Sequence, residues 1–184
     1  MKKLKNSTKE RLRKFLSLLI DSIAMAILIF IDQYTKYMAV LRLKNKPAFS
    51  IINDVLEFNY LENTGAAFGM LQNQRIFFIF VEVIVLAVIA YILYKTPNRK
   101  KYRLMHILLT LIAAGAIGNM IDRVRLNYVV DFIYIVIIKF PIFNMADIYV
   151  TVATAILILA LLFYYKESDL NFIGFNQKKF REIK

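Results

Sequence analysis

A mainly α membrane protein of four spans, carrying a small β-sheet on its outer side, is the fold class the sequence predicts. Three observations lead there. The chain is 59% hydrophobic with a mean hydropathy of +0.54, a composition of lipid-embedded rather than ordinary globular proteins. Four runs, Phe15–Ile31, Ile76–Tyr94, Leu104–Ile121 and Ile148–Tyr165, are each long enough to cross a bilayer: eighteen helical residues cover roughly 27 Å. Two stretches between the spans, 47–61 and 128–143, are rich in Val, Ile, Phe and Tyr and read as extended chain.

The net charge of +12 does not indicate nucleic acid, because the basic residues flank the spans. If the spans alternate, residues 1–14, 95–103 and 166–184 share one side and hold 17 Lys or Arg in 42 residues; 32–75 and 122–147 hold 8 in 70. The positive-inside rule then puts both termini in the cytoplasm and the extended segments outside.

Taken in order, the first span covers about 15–36, the apolar run being prolonged by Asp32 and Lys36, which form a favourable (i, i+4) pair on a helix. Its small-x-small triplet, Ala24-Met25-Ala26, lies inside the run, so the segment reads as an uncleaved span rather than a removable leader. Asn53-Asp54 is the expected turn between two outer strands in 47–61. In ENTGAAFG, residues 62–69, Gly65 and Gly69 flank Phe68 and make the loop a candidate lid. The second span, about 76–94, carries Glu82, expected to be protonated and bonded to a neighbouring helix; the third covers about 104–121. Segment 128–143 contains Asp131 and Lys139 and meets a proline, Pro141, which favours strand over a fifth crossing. The fourth span, about 148–165, is followed by a polar tail. The whole chain, 1–184, reads as a single domain.

With this topology, Asp32, Asn63, Asn119, Asp122, Arg123, Asp131, Asn144 and Asp147 all fall at the outer edge of the membrane, although they come from separate parts of the chain. Ionisable groups there are costly unless paired or functional. Several have an ordinary local explanation. Asn144 and Asp147 suit a helix cap with an acid at its third position, Asp122 and Arg123 a local ion pair, and Asn63-Thr64-Gly65 a turn. Asp131, between Val130 and Phe132, has none. Desolvation, and any second carboxylate nearby, should raise its pKa. With Asp147 it would make a pair of one protonated and one ionised carboxyl, the requirement for activating water by two carboxylates.

Other chemistries lack their residues. There is no cysteine, hence no disulfide framework or thiol nucleophile. The lone His106 lies toward the cytoplasmic end of the third span, so the outer side offers neither a zinc set nor a Ser-His pair. Asp21, near the same end of the first span, is expected to stay hydrated.

DQYTK at 32–36, ENTGAAFG at 62–69, GNMIDR at 118–123, VVDF at 129–132 and FNMAD at 143–147 occur in an order and spacing that resemble the lipoprotein (type II) signal peptidases. The resemblance implies an aspartic intramembrane endopeptidase of the bacterial inner membrane, acting on prolipoproteins that bear a diacylglyceryl-cysteine and cleaving just before that cysteine. It makes Asp131 and Asp147 the catalytic pair, and Asp32, Lys36, Asn63, Gly65, Asn119, Arg123 and Asn144 the supporting and substrate-contacting positions. It implies a monomer among membrane lipids, without metal, organic cofactor or nucleic acid. The chain departs from the family's usual glycines at Ala114, Asn127 and Ala153; Asn tolerates the left-handed backbone a turn at 127 would need.

Two rivals belong to other classes. A proton-coupled carrier would also use intramembrane carboxylates, but near the midplane on broken or repeated helices, which this chain lacks. A non-catalytic scaffold would tolerate loss of Asp131. Substitution of Glu82 by Gln separates carrier from peptidase: the carrier reading expects lost transport, the peptidase reading little change in cleavage.

Overall fold

The computed structural model describes the backbone of residues 2–65 and 71–174, with side chains from residue 8 onward. Four long helices and one three-stranded antiparallel sheet make up the fold, and all four helices are long and apolar enough to cross a membrane. The expected fold class is the observed one.

Helix α1, Lys2–Leu43, is far longer than the 15–36 read from hydropathy. No Gly or Pro precedes Pro47, so the polar residues on both sides of the apolar run continue the helix, and 42 residues extend about 63 Å. It ends where Lys46 N–H bonds the Leu43 carbonyl at 3.1 Å and Asn45 takes a left-handed backbone, φ 60°. Strands β1, Phe49–Ile52, and β2, Leu56–Asn63, follow as a hairpin, with Asp54 left-handed in the turn, φ 61°. Helix α2, Arg75–Lys95, stops at Thr96, which is extended as the residue before a proline must be.

Helix α3, Arg103–Leu126, runs five residues past the apolar stretch. Asn127 ends it in the left-handed conformation, φ 71°, its N–H on the Arg123 carbonyl. Strand β3, Val129–Ile135, then pairs with β2 to give the order β1-β2-β3. Only the first half of 128–143 is strand: a turn with Lys139 at φ 48° breaks it, and Phe143 returns to bridge Ile133. Helix α4, Met145–Phe163, begins three residues before the apolar run, because Asn144 caps it. The lid expectation falls largely on 66–70, outside the described residues.

α3 is the central helix. In its most apolar window 67% of the residues are buried, against 6%, 11% and 17% for α1, α2 and α4; three helices expose their apolar faces around one that does not. Two glycines permit the close approaches. A methyl group on Gly115 would stand 2.5 Å from the Ala146 carbonyl oxygen of α4, and one on Gly118 the same distance from the Asp32 carboxylate of α1. Ala114 and Ala153, two of the positions that depart from the usual glycines of the resembled family, are completely buried.

Two apolar clusters fix the ends. Ile89, Leu93, Met105, Leu109 and Ala160 pack near the basic end, where Tyr102 stacks on Tyr165 with centroids 6.0 Å apart. At the sheet end Val130 and Phe132 pack on Ala39 of α1, with Phe58 edge-on to Phe132. β3 therefore turns Val130 and Phe132 toward α1, and the alternation of a strand sends Asp131 to the opposite face.

Gly115→Ala should destabilise the protein by about 1–3 kcal/mol, because a backbone carbonyl cannot yield to the new methyl as a side chain would. Thermal unfolding in detergent reads this as a lowered Tm; an unchanged Tm would mean that α3 and α4 are not in such close contact.

Candidate active site

Lys36 is the most deeply buried cation among the described residues, 2% exposed. Its ammonium lies 3.0 Å from Asp32 Oδ2 and 3.0 Å from Asp122 Oδ2, and donates to Asn119 Oδ1 at 2.9 Å. The (i, i+4) pair with Asp32 is therefore present, buried and extended to α3. Asp122 does not pair with its neighbour Arg123. On α3 Asp122 stands three residues from Asn119 and shares its face, whereas Arg123 points to α2.

The two carboxylates bound to Lys36 each hold one backbone amide. Asp32 Oδ1 accepts from Ala146 N at 2.9 Å, and Asp122 Oδ2 accepts from Val130 N at 3.1 Å. Gln33 closes the cluster: its side-chain nitrogen lies 3.2 Å from Asp32 Oδ2, 3.0 Å from Asp122 Oδ1 and 3.1 Å from the Gly118 carbonyl. Each buried charge thus has more than one partner, which a charge removed from water requires.

Ala146 and Val130 are the chain neighbours of Asp147 and Asp131, and those two carboxylates meet in one hydrogen-bonded network. Asp131, 1% exposed, accepts from Asn144 Nδ2 at 2.6 Å on Oδ1 and from Asn63 Nδ2 at 2.8 Å on Oδ2. The second bond follows from strand register. Leu61 pairs with Asp131, so Asn63, two residues on, sits diagonally on the same face. Asn63 Oδ1 accepts from Gly65 N at 2.9 Å, so the local turn expected from the sequence and the contact with Asp131 coexist.

Asp147 accepts from Asn119 Nδ2 at 2.9 Å on Oδ1 and from Asn144 N at 3.1 Å on Oδ2. Asn144 Oδ1 in turn accepts from Asp147 N at 3.0 Å, a reciprocal capping box at the start of α4. Cap and site are the same residues here. The Asn144 amide also donates to Asn119 Oδ1 at 3.2 Å, so Asn119 and Asn144 connect both carboxylates to Lys36. Burial first, and then the negative charge of Asp147, push the Asp131 carboxyl up to about 7. Asp131 therefore holds a proton at neutral pH far more readily than an ordinary carboxyl does.

Arg123 forms an ion pair with Glu82 of α2, lies over the Phe78 ring with its guanidinium carbon 4.8 Å from the centroid, and approaches the Gly65 carbonyl at 3.5 Å. Glu82, expected to be protonated and bonded to a neighbouring helix, does bond one, α3, through the Arg123 cation; its position seven residues into the span was the only signal. Gln33 joins the cluster without having been singled out for it, and Asp122, read as a partner of Arg123, bonds Lys36 instead; helical spacing puts Gln33 with Lys36 and Asp122 with Asn119. Asp21 is not left to water: it pairs with His106 at 2.7 Å. That pair lies well down the helices, His106 being thirteen residues before Asn119 on α3, about 20 Å.

Among the described residues no group of three or more His, Cys, Asp or Glu is arranged to hold a metal ion. The site's chemistry is that of two carboxylates, Asp131 buried with a raised pKa and Asp147 half-buried, linked by two asparagines.

Comparison with known proteins adds the family. Residues 24–163 match the model described as signal peptidase (SPase) II. The lipoprotein signal peptidase of Caldanaerobacter subterraneus subsp. tengcongensis is 44% identical over 136 residues, 73% of this chain and 90% of the relative. That of Streptococcus thermophilus is 42% identical over 139 residues, 76% and 90% of the two chains, and that of Clostridium tetani 40% identical over 134 residues, 71% and 85%. Two solved structures, each described as a bacterial membrane enzyme studied by the in meso method, superpose with TM-scores of 0.71 and 0.69. They are 33% and 34% identical; the first covers 80% of this chain and 92% of its own, the second 79% and 94%.

Lys36→Met should cost about 3–5 kcal/mol, since it leaves Asp32 and Asp122 as buried, uncompensated carboxylates. Chemical or thermal unfolding in detergent measures this; a loss below about 1 kcal/mol, the scale of an exposed pair, would show that the cluster is hydrated.

Proposed function

This chain belongs to the signal peptidase II family, whose members process the signal peptides of lipoproteins, and we propose that it does so as an aspartic endopeptidase with Asp131 and Asp147 as its catalytic pair. The observation that carries the reading is the network itself. Two carboxylates from different elements share Asn144, whose side-chain amide donates to Asp131 and whose backbone N–H donates to Asp147, and the Asp131 carboxyl is raised to about 7.

In the proposed reaction Asp147 is ionised, at the N-terminus of α4 where the helix dipole favours negative charge. It takes a proton from a water whose oxygen attacks the scissile carbonyl carbon. Asp131, protonated, donates its hydrogen bond to the carbonyl oxygen as that oxygen becomes negative. Collapse of the tetrahedral intermediate breaks the C–N bond, and the proton held by Asp147 passes to the leaving amine. That amine is the one of the diacylglyceryl-cysteine, so cleavage falls just before it. Arg123 of α3, with Asn63 and Gly65 at the end of β2 and the start of the following loop, is suited to hold an extended substrate backbone. Asp32, Lys36, Asn119 and Asn144 hold the pair in place.

The basic residues at the N-terminal end of α1 and around the α2–α3 connection support an orientation with both termini in the cytoplasm. The site then lies at the outer edge of the membrane, where the substrate's acyl chains stay in lipid while its peptide reaches the carboxylates. The pairing of Glu82 with Arg123 counts against a carrier, since it ties the carboxylate of the second span to a cation of α3.

The test is cleavage of a diacylglyceryl-modified prolipoprotein by purified protein. Asp131→Asn and Asp147→Asn should each lower the rate by on the order of 10²–10⁴-fold or more while remaining folded; a variant that keeps the parent's rate would remove that residue from the pair. The pH profile makes a second test. Activity should fall on its alkaline side with a midpoint near 7, as Asp131 loses its proton. The Asn63 bond favours the ionised form, so Asn63→Ala should move that midpoint upward; a downward move would contradict the assignment.

A further inference from the structure

On the face of the sheet opposite the carboxylates, a cavity of about 690 Å³ opens between the outer end of α1 and the strands. Ala39, Leu43, Phe58 and Phe132 form its apolar walls, and the lining carries two cations, Arg42 and Lys46, and no acid. No carboxylate answers these charges. Among the described residues Lys36 is taken by Asp32 and Asp122 and Lys44 by Glu62 at 2.7 Å, while neither Arg42 nor Lys46 has an ion pair or side-chain hydrogen bond. An apolar cavity with unanswered positive charge at its mouth suits an amphiphile with an anionic head.

The height agrees with a membrane lipid. Tyr34 and Tyr37 are more than half exposed on α1, as aromatic side chains at the headgroup level are. Arg42 stands five residues beyond Tyr37, about 7.5 Å along the helix, and helical side chains tilt back toward the N-terminus. Its guanidinium can therefore reach a layer of phosphates about 5–8 Å thick. The neighbouring strand points the same way. Every residue of β1 is exposed although three of the four are Phe49, Ile51 and Ile52; an apolar edge strand of this kind is an association hazard in water and at ease against lipid.

We propose that this cavity is a binding site for an anionic phospholipid of the outer leaflet, with an acyl chain between α1 and the sheet and the phosphate at Arg42 and Lys46. The inference takes from the proposed function only the orientation that decides which leaflet supplies the lipid. Val130 and Phe132 wall off the site from the cavity side, so an occupant would brace the strand that carries Asp131.

Native mass spectrometry of the delipidated full-length protein, titrated with phosphatidylglycerol or with phosphatidylcholine of the same acyl chains, tests this without reference to cleavage. One phosphatidylglycerol should be retained roughly tenfold or more over phosphatidylcholine, as two cations at an anionic headgroup allow. The preference should be lost in Arg42→Gln/Lys46→Gln, weakened in Ala48→Trp, which narrows the mouth, and kept in the distant Lys9→Gln/Arg11→Gln. Equal retention of the two lipids, or a preference that survives Arg42→Gln/Lys46→Gln, would overturn the proposal.

Discussion

Much of the sheet end of this protein depends on one buried ammonium. Lys36 brings Asp32 of α1 and Asp122 of α3 to the same point, and, besides the Gln33 side chain, each of those carboxylates holds a backbone amide immediately before one aspartate of the pair: Ala146 before Asp147 and Val130 before Asp131. A helix start and a strand are thereby set against each other without direct contact between the aspartates' own carboxyls and the cation. A lysine is suited to this role because its three donors diverge from one atom. Two charges and an amide oxygen take all three.

The asymmetry of the carboxylate pair follows from where each sits. Asp147 receives a helix N-terminus, with its own amide held by the Asn144 cap. Asp131 is on a strand buried on both faces, with Val130 and Phe132 packed on α1, and only side-chain amides face it. Burial and the neighbouring negative charge therefore act on Asp131, and the two asparagine bonds that oppose them do not cancel them. Environments that push two carboxyls apart in proton affinity are what acid–base work at neutral pH needs.

The four spans were legible because hydropathy over eighteen residues is a strong signal, and the site was legible because polar residues at a membrane edge are costly. What hydropathy could not supply was the true length of α1: helix propensity outside the lipid, with no Gly or Pro to stop it, decides that. The strand reading of 128–143 failed in its second half for a local reason, a left-handed turn at Lys139. Asp122 and Arg123 illustrate a different limit. Adjacent residues on a helix point about 100° apart, so sequence neighbours of opposite charge found partners on different helices. Glu82 was conspicuous, but nothing in the sequence says that α2 and α3 bring it to Arg123.

The account rests on Asp131 carrying the proton of the pair. Difference infrared spectroscopy of the purified protein, titrated across neutrality, follows the carboxylic-acid C=O stretch of a buried protonated carboxyl. The structure predicts a band that disappears with a midpoint near 7 and is missing from Asp131→Asn. A band that persists unchanged in Asp131→Asn, or that is lost only in Asp147→Asn, would contradict it.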